Sequence, residues 1–259
     1  MITSLLQGGL GNQLFQISAA CAVAWDNNDR AIFDFNSSTC PLQGRVATNY
    51  IDNVYQKLQN RSGLFVRNSH RENGQDYSKI PYEESMILIG YFQSEKYFAH
   101  HRDKILELFR PSSQINDYIE TKYGDILSEG VTSIHVRHGD YEKYKDTHPP
   151  CQMDYYEKAM AEFPLDTKYL IITDTPDWCK KNFKGENFYF TDCNFENDYI
   201  DFYIMSKCEN NIIGNSSFSW WAAWLNENKN KKVVAPKKWF GEKVNYSTKD
   251  LYAEGWTIV

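Results

Sequence analysis

Long apolar runs are missing from this chain. Nothing in its 259 residues approaches the roughly 20 consecutive apolar residues that a membrane span requires. Its first stretch, Met1-Ile2-Thr3-Ser4-Leu5-Leu6-Gln7-Gly8, has no basic residue and only a short apolar run, which does not fit a secretory signal. Cysteine is sparse. The six, Cys21, Cys40, Cys151, Cys179, Cys193 and Cys208, contain no C-x-x-C pair, so they fit buried free thiols in a reducing compartment better than disulfides or zinc. The four N-x-S sequons at Asn36, Asn60, Asn215 and Asn245 are then chance matches without glycans. Excess positive charge is also lacking: a net charge of −6 argues against nucleic acid as a partner. Together these absences point to a cytoplasmic protein.

What is present is the composition of a soluble globular protein, 42% hydrophobic and 24% charged, long enough for one large or two ordinary α/β domains. The aromatic share of 15% suits a packed core by default, and sugar or base stacking as well. Ile2 to Leu6 reads as a strand, a helix follows from about Asn12 to Asp26, and Ala31 to Phe35 reads as the next strand. The glycine-rich turn between them, with Gly9 and Gly11, lets backbone approach a ligand and aims helix amides at an anion. Asp34 lies where a dinucleotide-binding acid is expected, but Leu14 occupies the third glycine position of that fingerprint. The preferred reading is a turn presenting Asn12 and Gln13, and a purely structural turn stays open beside it.

Residues 36 to 84 show little periodicity and read as short helices and loops. Met86 to Phe92 reads as a buried strand. Phe98, His101, Ile105 and Leu108 then fall at helical spacing up to Pro111. A further helix spans about Ser112 to Leu127, with Ile115, Tyr118, Ile119 and Ile126 on its apolar face. From Val131 strands at 131–137, 168–173, 187–190, 211–214 and 232–235 alternate with helices at 154–163, 176–183, 196–208 and 216–227. That order implies a parallel sheet with right-handed crossovers.

In such sheets ligands sit past the carboxyl ends of strands, and chemistry-bearing residues gather there. His135, Arg137, His138 and Asp140 close the first strand of this half, and Asp174 closes the second. The planar fork of Arg137 suits a bidentate grip on phosphate, though an Arg–Asp pair closing a loop explains the same residues. His135 alone is more often structural, and Asp174 alone is more often the cap of the helix beginning at Pro176. Ser216, Ser217, Phe218 and Ser219 open the last helix, where one serine caps and the hydroxyls and amides together can cradle a phosphate. Trp220, Trp221 and Trp224 read as core. No D-x-D triplet occurs, so paired carboxylates for a divalent metal are lacking and leaving-group charge falls to Arg137 and backbone amides.

The segments Gly8-Gly9-Leu10-Gly11-Asn12-Gln13-Leu14-Phe15-Gln16, Gly90-Tyr91-Phe92-Gln93-Ser94, His135-Val136-Arg137-His138-Gly139-Asp140-Tyr141, Asn211 to Trp221 and Ala235 to Phe240 come in one order. In that order they resemble the bacterial α-1,2-fucosyltransferases of glycosyltransferase family 11. The resemblance implies a GT-B-like fold, two Rossmann-type domains with parallel sheets facing across a cleft, divided here into 1–125 on the acceptor side and 126–259 on the donor side, with the tail crossing back. It implies metal-independent, inverting transfer of L-fucose from GDP-β-L-fucose, with no cofactor. The acceptor is a galactose 2-hydroxyl on a glycan or lipid-linked oligosaccharide, so peripheral contact with the inner membrane is expected. In the wider group the first arginine of H-x-R-R-x-D grips the diphosphate, a role that falls on Arg137. The nucleoside contacts fall on His135 and Asp174, the β-phosphate on the serines before the Trp-Trp pair, and the vicinity of the reacting fucose on Asn12. His138 stands where the family usually has a second arginine. Asp140, Glu142, Asp146 and His138 are the base candidates. Another GDP-sugar transferase, or a NAD-dependent oxidoreductase using the Gly8–Gly11 turn, is the alternative.

Overall fold

The computed structural model describes residues 1–40, 44–192 and 195–259. Cys193 lies outside them. The chain divides into two compact units, one joining Met1–Arg110 to Tyr246–Ala253, the other Pro111–Asn245 to Glu254–Val259. The first division falls at Arg110 and Pro111, earlier than the 125/126 boundary expected from the sequence, because the helix that follows packs within the second unit.

In the first unit β1 (Ile2–Ser4) leads through a glycine turn into α1 (Leu10–Asp26). The parallel sheet has three strands in the order β1-β3-β2, where β2 is Asn68–Arg71 and β3 is Met86–Ile89. β3 is central, with Met86 and Leu88 buried, and α1 packs on β1 with Leu14, Phe15 and Ile17 fully buried. β2 is a strand that its sequence hid. Asn-Ser-His-Arg has no apolar alternation because the strand lies at the edge and leaves alternate residues exposed. The strand expected at 31–35 is reduced to isolated bridges at Ala31 and Phe33. Asp34 ends it by accepting hydrogen bonds from the amides of Asn36 (3.1 Å) and Gly63 (3.0 Å), which bends the chain into a short 3-10 turn. α2 (Arg102–Leu108) is preceded by two 3-10 turns.

The second unit begins with α3 (Ser113–Ser128), capped by Ser112, whose Oγ accepts from the amide of Ile115 at 3.3 Å. Its buried stripe is Ile115, Ile119 and Tyr123, spaced by four. Tyr118, expected on that face, is 44% exposed because it lies one residue off the stripe. Then come β4 (Thr132–Val136), α4 (Met153–Met160), β5 (Tyr169–Thr173), α5 (Pro176–Asn182), β6 (Phe188–Phe190), α6 (Asp198–Lys207), β7 (Asn210–Ile212), α7 (Ser217–Leu225), β8 (Val233–Ala235) and β9 (Thr257–Ile258). All six strands are parallel, in the order β6-β5-β4-β7-β8-β9.

That order runs outward from β4 in one direction and outward from β7 in the other, the doubly wound arrangement of nucleotide-binding sheets. The strand order reverses between β4 and β7. α7 is apolar on all sides and correspondingly buried: Trp220 and Trp221 are fully enclosed and Trp224 nearly so, with Trp256 of the tail 5.3 Å from Trp220. Both units are therefore α/β with parallel sheets, and the fold is of the GT-B type. Among the described residues no helix is long and apolar enough to cross a membrane.

Candidate active site

Open parallel sheets hold ligands outside the carboxyl ends of the strands, where the strand order reverses. In the second unit that point lies between the end of β4, which runs into Arg137, and the end of β7, which runs into Gly214, Asn215 and Ser216. Gly214 lets these two ends approach closely. A Cβ there would stand 3.1 Å from the His135 carbonyl oxygen and 3.6 Å from His135 Nδ1.

Arg137 is held by two carboxylates. Its Nη2 lies 3.0 Å from Asp140 Oδ1 and its Nε 3.3 Å from Asp174 Oδ2, with all three side chains largely sheltered from solvent. The guanidinium also faces the Tyr141 ring at 5.6 Å. Asp174 is thus no helix cap, since Thr175 occupies the cap position of α5. Its other oxygen accepts the backbone N–H of His138 at 3.0 Å, tying the loop after β4 to the end of β5. Tyr141 donates its hydroxyl to the carbonyl of Asn215 at 3.2 Å, and burial pushes its pKa up to about 12.

His135 is buried at the end of β4 with its ring 5.6 Å from that of Phe218. Its Nδ1 makes no hydrogen bond among the described residues. Burial first, and the charge of Arg137 second, push its pKa down to about 3, so the imidazole is neutral at physiological pH. His138, a base candidate from the sequence, is buried in the loop after β4. Only 2% exposed, it packs its ring 4.1 Å from Trp178 and sets Nε2 2.8 Å from the Cys151 carbonyl oxygen. Its Nδ1 lies 3.7 Å from Oε1 of the exposed Glu142, so this ring bridges the loop between the Cys151 carbonyl and that carboxylate. Of the other base candidates, Glu142 is exposed and Asp146 is paired with Lys243 on the surface.

At the start of α7, Ser216 is the N-cap and accepts from the amide of Phe218 at 3.4 Å. Ser217 and Phe218 remain partly exposed. Ser219 is turned inward, fully buried, with Oγ 3.3 Å from the Ser216 carbonyl and 3.5 Å from that of Gly214. It therefore fastens the turn, and Ser217 is the serine left partly exposed at this helix end. Asn215, which the sequence places at the close of a strand ahead of the serines, proves to be a tie point. Its Nδ2 donates to the carbonyls of Pro149 (2.8 Å) and Trp239 (3.0 Å), and its Oδ1 accepts from Cys151 Sγ at 3.5 Å. An asparagine directly after a strand and before capping serines was the available signal.

In the first unit Gly8 has φ +83°, Gly9 is the N-cap of α1, and Gly11 is buried in the helix's first turn. Gln13 does not face a ligand. It is fully buried, its Nε2 donating to the carbonyls of Gly8 (2.7 Å) and Arg45 (2.8 Å) while its Oε1 accepts from Tyr55 at 2.8 Å. Asn12 stays partly exposed, its Oδ1 accepting from Gln93 Nε2 at 2.8 Å. Asp34 is committed to its turn and Leu14 is wholly buried, so neither serves a dinucleotide. Among the described residues the one group with metal-ligand spacing is Asp26, His100 and His101, in the first unit, where Asp26 Oδ1 lies 3.1 and 2.7 Å from the two imidazoles. There the two imidazoles are hydrogen-bonded to Asp26 at the end of α1.

The chain matches the family model Glycosyl transferase family 11 over residues 1–259. It is 31% identical to the O-antigen biosynthesis glycosyltransferase WbnK of Escherichia coli, over 92% of this chain and 94% of that one. It is 30% identical to an alpha-1,2-colitosyltransferase of Escherichia coli, over 100% and 99%. Among solved structures, NodZ alpha-1,6-fucosyltransferase soaked with GDP-fucose superposes with a TM-score of 0.55 at 16% identity, covering 86% of this chain and 91% of that one. The NodZ fucosyltransferase from Bradyrhizobium gives 0.54. The match over the full length and the two relatives covered almost end to end place this chain in glycosyl transferase family 11.

Proposed function

We infer that this glycosyltransferase moves L-fucose from GDP-β-L-fucose to the 2-hydroxyl of a galactose, on a glycan or lipid-linked oligosaccharide of O-antigen synthesis, with inversion and without a metal. The observation that carries the reading is the doubly clamped Arg137 at the β4–β7 switch point, beside the start of α7. GDP leaves as the acceptor oxygen attacks the anomeric carbon, and the diphosphate's growing charge is met by Arg137, Ser217 and the α7 amides. His135, neutral and buried beside Phe218, is assigned to the nucleoside together with Asp174. Asn12 is assigned to the fucose, and Gly9 and Gly11 to the backbone's close approach.

One guanidinium facing two carboxylates leaves an excess negative charge, which repels a diphosphate. Binding therefore exchanges Asp140 for a phosphate oxygen at Nη2, while Asp174 keeps Nε. Asp140, released, is the carboxylate we assign to the acceptor proton. A loose, oxocarbenium-like transition state asks little of that base.

A second donor is favoured by one specific finding: the relative matched over the whole chain is named for colitosyl transfer. GDP-fucose and GDP-colitose offered with a panel of galactosides, in EDTA, separate the two, and linkage analysis of the product fixes the position. Fucosylation at the 2-hydroxyl is expected. Product from GDP-colitose alone transfers the assignment to that sugar, and no product from either overturns the reading.

A further inference from the structure

The motif Gly90-Tyr91-Phe92-Gln93-Ser94 is built around one carboxylate. Glu72, just past β2, takes the backbone N–H of Tyr91 at 2.7 Å and that of Phe92 at 3.0 Å. Phe92 is thereby kept at φ +51°, a left-handed conformation that a bulky residue adopts only when its surroundings impose it. Gly90 makes room for this grip, since a Cβ there would lie 2.4 Å from Glu72 Cβ and 2.6 Å from Glu72 Oε2. The phenyl ring is fully buried, 5.4 Å from the ring of Tyr97, so the turn is anchored on both sides.

The bent turn delivers Gln93. Its Nε2 donates to Asn12 Oδ1 at 2.8 Å, which fixes the Asn12 amide with Nδ2 as its remaining donor. That Nδ2 lies against Gly8, where a Cβ would stand 2.4 Å from it. Gly8 also carries φ +83°, so two separate constraints require glycine beneath Asn12. Among the described residues Asn12 Nδ2 makes no hydrogen bond of its own.

We propose that Glu72 and Gln93 are positioning residues: Glu72 sets the 90–94 turn, the turn sets Gln93, and Gln93 with Gly8 aims the amide N–H of Asn12 at the transferred sugar. The proposal rests on the assignment of Asn12 to the sugar made above. It adds a chain of control from a carboxylate outside every recognised motif to a donor inside one. A positioning residue has no effect of its own once the group it positions is gone, and this sets the test.

Turnover of GDP-fucose and melting temperature are measured for Gln93→Leu, Glu72→Gln, Asn12→Ala and the doubles of each with Asn12→Ala. Gln93→Leu is expected to lower kcat about tenfold with donor KM within twofold, in line with the rate cost of a misplaced group. In the Asn12→Ala background both substitutions are expected to change kcat by less than twofold. Effects that multiply in the doubles, or full turnover in Gln93→Leu, overturn the proposal. A donor-free readout separates this from failure of the fucosyl assignment. In ¹⁵N-labelled protein the Asn12 side-chain NH₂ pair, assigned by its loss in Asn12→Ala, is expected to shift and exchange faster in Gln93→Leu and in Glu72→Gln. Unchanged signals in both variants overturn the positioning even if GDP-fucose is turned over.

Discussion

Arg137 illustrates how much a single residue can and cannot declare. Its type and its place after an apolar strand are readable, and so is the pair of acids that serves it once β4 and β5 are seen as neighbours. Side-chain direction is not readable. Gln13, Ser219 and His138 sit within motifs yet point into the protein, because rotation about a helix start or a loop is set by packing that one sequence does not display. Removing the guanidinium should cost about 3 kcal/mol of transition-state stabilisation, as for a lost oxyanion donor, measured as kcat/KM of Arg137→Ala. His135 gives a prediction in pH. Unfolded, it binds a proton below about pH 6.5, whereas folded it stays neutral until about 3, so its contribution is full above pH 6.5 and is lost on acidification. His70 and His148, also lowered by burial, act in the same direction. Melting temperature should therefore fall from neutral pH toward about pH 4, and less steeply in His135→Gln. An identical slope in that variant would show that burial of this imidazole has no such linkage.

At the scale of elements, periodic segments were legible and irregular ones were not. α1, α7 and the central strands β4 and β5 follow apolar spacing that matches their burial, and α3 does so at Ile115 and Ile119. β2 escaped because an edge strand of Asn, Ser, His and Arg needs no alternation, and the 31–35 segment misled because Asp34 diverts its amides into a turn. β3 stops at Ile89, short of the expected Phe92, where Glu72 bends the chain. α7 does double service, presenting its amino end at the switch point while its Trp face forms core. Trp220→Ala should destabilise the protein by about 3–5 kcal/mol, read by denaturant unfolding, since a fully enclosed indole leaves a cavity that cannot collapse. Gly8→Ala combines an unfavourable φ with a clash on Asn12 Nδ2. It should lower both stability and turnover, seen together in melting and rate measurements.

For the whole molecule, the six-stranded parallel order of the second unit places Arg137 and Ser216 together although 79 positions separate their numbers. Topology makes this site from segments that share no local pattern, which is why alternation alone located the strands but only their order located the switch point. The central claim is that Arg137 at this point takes the charge of a departing GDP with no metal. Its most direct measurement is turnover of GDP-fucose with a galactoside acceptor in EDTA, wild type beside Arg137→Ala. The account predicts turnover retained in EDTA and lowered about a hundredfold or more by the substitution. Near-wild-type turnover of Arg137→Ala, or activity abolished by EDTA and restored by a divalent cation, would contradict it.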